Sequence, residues 1–155
     1  MGDDNSISDE EELYRSVRNQ INNTEFFYDD NGQLIITRDA FKDRKKQPSV
    51  DRAKLRNFTP SLSKLSESDG IVSLSTKNVR AIGDVKTNTE EGGLRHSVEV
   101  VYAPINSIPK NLAHSQVTVE PIFFGSDNKQ KKAFKLLRIA LARLATKSGW
   151  ILNPY

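Results

Sequence analysis

The 155-residue chain contains no cysteine and only two histidines, His96 and His114. The lack of cysteine excludes disulfide bonds, thiolate metal sites and cysteine nucleophiles. The histidines lack the His-x-x-x-His spacing of a zinc site, and the common glycine-rich signatures of nucleotide-binding and hydrolase sites are missing as well. We therefore expect that the protein holds no metal and uses no cofactor.

Long hydrophobic runs are also missing. No segment has the roughly 18 consecutive apolar residues that indicate a membrane-spanning helix. No early apolar stretch follows a basic start, which argues against a secretory signal peptide. Together with the lack of cysteine, these features predict a cytoplasmic protein without a membrane span.

Composition and charge indicate a folded but polar chain. Apolar residues make up 36% and charged residues 28% of the sequence, and the length suits one domain with a core of its own. Residues 1–12 carry six acids and no base, whereas residues 128–147 carry seven bases and no acid. We interpret residues 1–7 as a flexible acidic tail and residues 8–155 as a single domain.

The start of this domain has the pattern of a helix N-terminus. Ser8 and Glu11 have the spacing of a capping box, in which each side chain hydrogen-bonds to the backbone amide of the other residue. Apolar residues then follow at intervals of four from Leu13 to Ile21, as on one face of a helix. The pattern predicts a short N-terminal helix from about Asp9 to Ile21.

Two β-hairpins are predicted further along the chain. Residues 26–28 and 34–36 are apolar runs on either side of an Asn-Gly turn, and residues 85–87 and 94–102 form a second pair of extended runs. Strands and helices follow one another without a regular βαβ rhythm. The expected fold class is therefore α+β: a single domain with a mixed or antiparallel sheet, β-hairpins, the short N-terminal helix and a long basic amphipathic C-terminal helix.

Residues 127–147 have the pattern of this C-terminal helix, which is apolar on one side and basic on the other. A helical wheel places Phe134, Leu137 and Leu141 on one arc, which we interpret as the face packed on the core. Basic residues cover the rest of the surface, and two apolar residues lie among them. The residues that we predict to contact a partner are Lys131, Lys132, Lys135, Leu136, Arg138, Ile139 and Arg143.

A basic helix favours a negatively charged partner, although the same pattern is typical of a solvated surface. Pairing with phosphates would indicate RNA or DNA, and pairing with carboxylates would indicate an acidic protein surface. Segment 38–56 is also rich in basic residues, and a surface shared by the two segments would favour nucleic acid. The first hypothesis is thus a non-enzymatic binding module for an acidic protein or nucleic acid. A component of a larger assembly is a further alternative.

Three short stretches carry a resemblance to known proteins: Leu13-Tyr14-Arg15, Ser49-Val50-Asp51-Arg52 after Phe41, and the stretch 111–117, which contains His114. In this order they resemble a family of small, uncharacterised prokaryotic proteins. The resemblance implies a bacterial cytosolic protein from a defence or mobile-element neighbourhood, and it implies no established activity.

These stretches support a second hypothesis, a small enzyme that acts on a nucleotide-like or phosphorylated substrate. Its candidate site residues are Tyr14, Arg15, Ser49, Arg52 and His114. Arginine, serine and histidine side chains together are suited to bind phosphate groups. The hypothesis requires Arg15, Arg52 and His114 to converge in one concave pocket.

Overall fold

The structure, a computed structural model, describes residues 5–86, 95–123 and 128–155. Within these ranges the chain forms nine strands, two α-helices and three short 3₁₀ helices. The strands are β1 (Glu12–Val17), β2 (Phe26–Tyr28), β3 (Leu34–Ile36), β4 (Ser49–Arg52), β5 (Gly70–Ser75), β6 (Asp84–Lys86), β7 (Arg95–Tyr102), β8 (His114–Glu120) and β9 (Trp150–Leu152). The α-helices are α1 (Thr76–Arg80) and α2 (Asn128–Ser148), and the 3₁₀ helices span Arg38–Phe41, Ala53–Arg56 and Pro60–Ser63.

Seven strands form one sheet in the order β6-β7-β8-β4-β1-β5-β9, and β2 pairs with β3 in a separate hairpin. All of these strand pairs are antiparallel. Strands β8, β4 and β1 are distant in the sequence but are direct neighbours in the sheet. The predicted α+β fold class is confirmed, and the sheet is antiparallel rather than mixed.

The two faces of this sheet differ because side chains alternate along each strand. The front face carries the main core, in which Leu13 and Leu74 pack together with Leu137 of α2. Leu137 is fully buried, as the predicted core arc requires, and burying such a side chain stabilises the fold by about 1.5–3 kcal/mol. The back face carries a smaller apolar cluster that contains Tyr14 and Ile71.

The predicted helix from Asp9 to Ile21 is wrong, because this segment contains strand β1 and leaves Ile21 92% exposed. The Ser8 amide does donate to the Glu11 carboxylate (2.9 Å), as in a capping box, but the pair closes a turn ahead of the strand. Within β1, Arg15 lies on the front face between two buried apolar residues. Because Arg15 is charged, the alternation of apolar residues that is typical of a strand is interrupted between Leu13 and Val17. The remaining apolar residues have the spacing of four that is typical of a helix.

Both predicted hairpins are confirmed over the described residues, since β2 pairs with β3 and β6 pairs with β7. The predicted strand ends at Thr87 and Leu94, and the loop between them, lie outside the described ranges. The C-terminal helix is also confirmed as α2, and β9 follows it and pairs with β5. No helix in the described parts of the chain is long and apolar enough to cross a membrane.

Part of the segment predicted as an acidic tail packs onto the domain. Ile7 is 4% exposed and belongs to the main core. The Ser6 carbonyl accepts a hydrogen bond from Arg52 (3.2 Å). The packed structure therefore begins before Ser8, and residues 1–4 lie outside the described ranges.

The contact between β5 and the C-terminal strand depends on the small size of Gly70. A Cβ atom at this position would lie 2.5 Å from Cζ3 of Trp150 and 2.9 Å from Cδ of Pro154. We expect Gly70→Ala to lower the free energy of unfolding by about 1–3 kcal/mol, since overpacking forces neighbouring groups apart. Urea unfolding should measure this loss. In a Trp150→Ala background, Gly70→Ala should lower the free energy of unfolding by clearly less. An equal loss in both backgrounds would show that a clash with Trp150 is not the cause.

Candidate functional site: a polar cleft on the back face of the sheet

A polar cleft of about 380 Å³ lies where strands β8, β4 and β1 meet on the back face of the sheet. Tyr14 of β1, Ser49 and Asp51 of β4, and His114 of β8 line it. Its walls come from the segments that follow β4 and precede β8. The volume falls within the range of about 300–1,000 Å³ that is usual for small-molecule sites.

The central feature of this cleft is a hydrogen bond between Ser49 Oγ and His114 Nε2 (2.9 Å). The pairing register explains it. Ser49 lies opposite Gln116, and Asp51 lies opposite His114, so Ser49 and His114 are diagonal neighbours on one face. Both side chains are half-buried and line the cleft.

A backbone carbonyl fixes the tautomer of His114. The Nδ1 atom lies 2.7 Å from the Ala103 carbonyl oxygen. A carbonyl only accepts, so Nδ1 carries the proton, and in the neutral imidazole Nε2 is left as the acceptor. The Ser49 hydroxyl therefore donates to Nε2. A hydroxyl that donates to an oriented imidazole has the arrangement of a nucleophile with its general base.

Asp51 anchors both walls of the cleft to β4. Its carboxylate accepts hydrogen bonds from Asn111 Nδ2 (2.9 Å), from Ser63 Oγ (2.7 Å) and from Arg56 Nε (3.1 Å). Arg56 also forms an ion pair with it, so the charge of Asp51 is largely neutralised. Asn111 lies three residues before His114, and this network therefore helps to position the histidine.

Basic side chains give the cleft a positive character. Arg56, Lys64 and Lys110 line it, and among the described residues Asp51 is the one acid in the lining. Lys110 is exposed, and among the described residues no carboxylate lies within ion-pair distance of it. A concave surface with excess positive charge raises the local concentration of anions.

Arg15 borders the cleft, but its side chain lies on the front face of the sheet, where the guanidinium is 5.5 Å from the centre of the Phe41 ring. Its guanidinium donates to three backbone carbonyls, those of Ala40 (2.9 Å), Ser49 (2.7 Å) and Lys42 (3.4 Å). Burial lowers the pKa of Arg15, while nearby acids, of which Glu25 is the strongest, oppose the shift. The bond to Ser49 also holds the backbone of the candidate nucleophile in place.

Tyr14 supplies a neutral hydroxyl to the same cleft. Burial raises the pKa of this phenol, and the charge of Glu12 raises it further. The ring packs in the back-face apolar cluster together with Ile71. At neutral pH the hydroxyl therefore stays protonated, and Tyr14 is only 2% exposed.

The structure brings together the side chains of three of the five predicted site residues: Tyr14, Ser49 and His114 lie on the back face and line the cleft. Arg15 borders the cleft, but its side chain lies on the front face, with the guanidinium over the Phe41 ring. Arg52 is fully buried on the front face, paired with Glu11 and stacked on Tyr102 at 4.8 Å. The condition that Arg15, Arg52 and His114 converge in one pocket is thus not met.

Sequence reasoning missed several residues of the cleft. Asp51 and Asn111 lay within the stretches that carried the resemblance, but they were not chosen as site residues. Positions 49 and 51 share a face in any β-strand, so a strand interpretation of residues 49–52 would have indicated Asp51 and excluded Arg52. Nothing local to the sequence indicated the Ala103 carbonyl, Arg56 or Lys110.

The predicted partner-contact residues lie elsewhere, on α2. Five of the seven are exposed and two, Arg138 and Ile139, are half-buried. Ile139 lines an apolar groove of about 590 Å³ between α2 and β3. That groove is larger than the cleft, but the described residues of its lining include no nucleophile hydrogen-bonded to a base. We therefore regard the cleft as the candidate functional site.

Comparisons of the chain with protein-family models, with curated proteins and with solved structures found no match. The case for a function therefore depends on the geometry and charge of the cleft.

Proposed function

We propose that the chain is a small enzyme that acts on a phosphorylated, nucleotide-like substrate, with Ser49 as nucleophile and His114 as general base. The Ser49–His114 hydrogen bond of 2.9 Å carries this proposal, because the Ala103 carbonyl orients the imidazole for it. Such an arrangement of nucleophile, base and orienting group is the usual signature of an activated hydroxyl.

The reaction proceeds in two displacements. Ser49 Oγ attacks phosphorus while its proton passes to His114 Nε2, and the bond from phosphorus to the leaving oxygen breaks. His114 then protonates that oxygen. In the second step a water molecule gives a proton to His114 and attacks the phosphoserine, which releases phosphate and returns the proton to Ser49 Oγ. General acid–base catalysis of this kind contributes about 10²–10⁴-fold to the rate.

The charges of the cleft support an anionic substrate. Lys110 lines the cleft and is exposed, and no carboxylate of the described residues lies within ion-pair distance of it. Its ammonium group favours the negative charge that phosphate oxygens carry in the ground state and in the transition state. The Asp51–Arg56 pair adds little net charge and serves to hold the walls.

A fluorophosphonate probe tests whether the Ser49 hydroxyl is activated. We expect a single adduct on Ser49 by intact-mass analysis and peptide mapping, as the Oγ–P bond forms and fluoride leaves. Ser49→Ala should abolish the adduct, whereas Ser73→Ala, which removes another serine of the back face outside the cleft, should leave it unchanged. AMP should slow the labelling, and Lys110→Gln should weaken this protection. Absence of an adduct on Ser49, or labelling that AMP does not slow, would argue against the proposal.

A further inference from the structure

A second charged surface lies on the other side of the sheet, between α2 and the segment that follows the 3₁₀ helix Arg38–Phe41. Two adjoining depressions form it, one between Arg138 and residues 42–44 and one along α2, and Arg138 lines both. We call this surface the basic valley. Its basic residues are Lys42, Arg44, Lys131, Lys132, Lys135 and Arg138.

The positive charge of the basic valley is poorly compensated. Among the described residues Asp43 is the one acid in its lining, and its carboxylate accepts hydrogen bonds from the backbone amides of Lys45 and Gln47 (2.9 Å each). Lys42 forms an exposed ion pair with Asp39 at 3.7 Å, which is a weak interaction. For the other five basic residues, no carboxylate within the described ranges lies at ion-pair distance.

Arg138 lines both depressions and carries a charge that no described carboxylate compensates. Its guanidinium stacks over the Phe134 ring at 4.8 Å, and its buried Nε atom has no hydrogen-bond partner among the described residues. Burial lowers the pKa of this arginine, and the charge of Arg38 lowers it further, with Asp39 opposing. A buried donor without a partner is uncommon in folded proteins, and Arg138 also has no carboxylate at ion-pair distance among the described residues, so its charge is uncompensated there.

We infer that the basic valley binds the phosphate backbone of nucleic acid, a property separate from the chemistry of the cleft. Residues 42–44 of the basic segment 38–56 meet α2 here, and a surface shared by these two segments favours nucleic acid. Protein interfaces have apolar cores and are depleted in lysine, whereas this lining holds one aromatic ring, Phe134, which Arg138 covers. Leu136 and Ile139 do not line the valley.

The lining also predicts how the nucleic acid is recognised. The basic side chains that line the valley end in amino and guanidinium groups, and contacts of these groups with phosphates carry no sequence information by themselves. Phe134 is 7% exposed, so no open aromatic face in the described valley would stack with bases. We therefore expect binding that is independent of base sequence and falls steeply with salt.

Fluorescence anisotropy with a labelled DNA duplex and a labelled RNA strand, from about 50 to 200 mM salt, tests the inference. Two double variants remove one wall each: Lys135→Gln with Arg138→Gln, and Lys42→Gln with Arg44→Gln. The matched control, Arg143→Gln with Lys147→Gln, removes the same charge from α2 outside the valley. Each wall variant should reduce the slope of log K against log salt by about two, because each lost phosphate contact lowers it by about one. The control should change it by much less.

Several outcomes would overturn the inference. Equal losses in the control would mean that total charge, and not the valley, drives binding. Absence of binding to both nucleic acids at the lowest salt would reject it directly. Binding of polyglutamate but not of nucleic acid would assign the valley to an acidic protein instead. Should the Arg138 variant unfold by circular dichroism, Lys131→Gln with Lys135→Gln replaces it, since both side chains are exposed. Labelling of Ser49 tests the cleft separately.

Discussion

Replacing Arg52 with alanine is expected to lower the free energy of unfolding by about 3–5 kcal/mol. Arg52 is fully buried, and its guanidinium lies 2.8 Å and 3.0 Å from the two carboxylate oxygens of Glu11. Glu11 is itself 8% exposed, so the substitution would leave a carboxylate buried without its main partner. The loss of the stacking contact with Tyr102 adds to the effect.

The same carboxylate provides a matched control for this prediction. Lys54 forms an ion pair with Glu11 at 3.7 Å, but its side chain is 43% exposed. Lys54→Ala should therefore cost no more than about 1 kcal/mol in urea unfolding at neutral pH. The double variant Glu11→Gln with Arg52→Met should recover most of the stability, because it removes both charges together. Similar costs for Arg52→Ala and Lys54→Ala would show that the buried pair has no special role.

The Glu11–Arg52 pair also predicts how the free energy of unfolding depends on pH. Burial raises the pKa of Glu11, but hydrogen bonds from Arg52 and the Ser8 amide, with the charges of Arg52 and Lys54, outweigh it and hold the pKa below its ordinary value of 4.5. Because the pKa of Glu11 is lower in the folded state, the contribution of its carboxylate to the free energy of unfolding is complete above pH 4.5. This contribution is lost as the pH falls through the pKa of Glu11 in the folded state. Arg52→Ala should remove this part of the acid dependence.

The elements with a strong local pattern were predictable from the sequence. The hairpin of β2 and β3 follows from its Asn-Gly turn, and α2 follows from the apolar arc around Leu137. The N-terminal segment was not predictable in this way. Arg15 packs inward because three backbone carbonyls satisfy its guanidinium, and these carbonyls come from residues 25 to 34 positions further along the chain. The spacing of hydrophobic residues does not indicate that distant backbone carbonyls will satisfy a charged side chain.

The candidate site was predictable in part. The three resembling stretches indicated Tyr14, Ser49 and His114, and these residues do lie together. Their meeting depends on the order β8-β4-β1, in which Ser49 and His114 are 65 residues apart in sequence. Pairings over such distances leave no local signal. Arg52 was predicted as a site residue because it is an arginine in a resembling stretch, but it lies one residue after Asp51, and a step of one residue along a strand reverses the face of the sheet.

The last prediction concerns the rate at which Ser49 reacts. His114→Ala is expected to slow phosphonylation of Ser49 by about 10²–10⁴-fold, since the imidazole would no longer accept the hydroxyl proton. Rate constants from time-resolved intact-mass spectra would measure the effect. Ser73→Ala, also on the back face but outside the cleft, should react at the wild-type rate.

A purely structural role for His114 makes a different prediction. Its hydrogen bonds to Ser49 and to the Ala103 carbonyl join β4 to the connection before β8, so its loss would lower thermal stability in either case. A general base, however, is replaceable by a diffusing one. Added imidazole should therefore restore much of the labelling in His114→Ala, saturating with concentration and without changing the melting temperature. Loss of stability with an unchanged labelling rate, or a slow rate that imidazole leaves unaltered, would mean that His114 only holds the strands together.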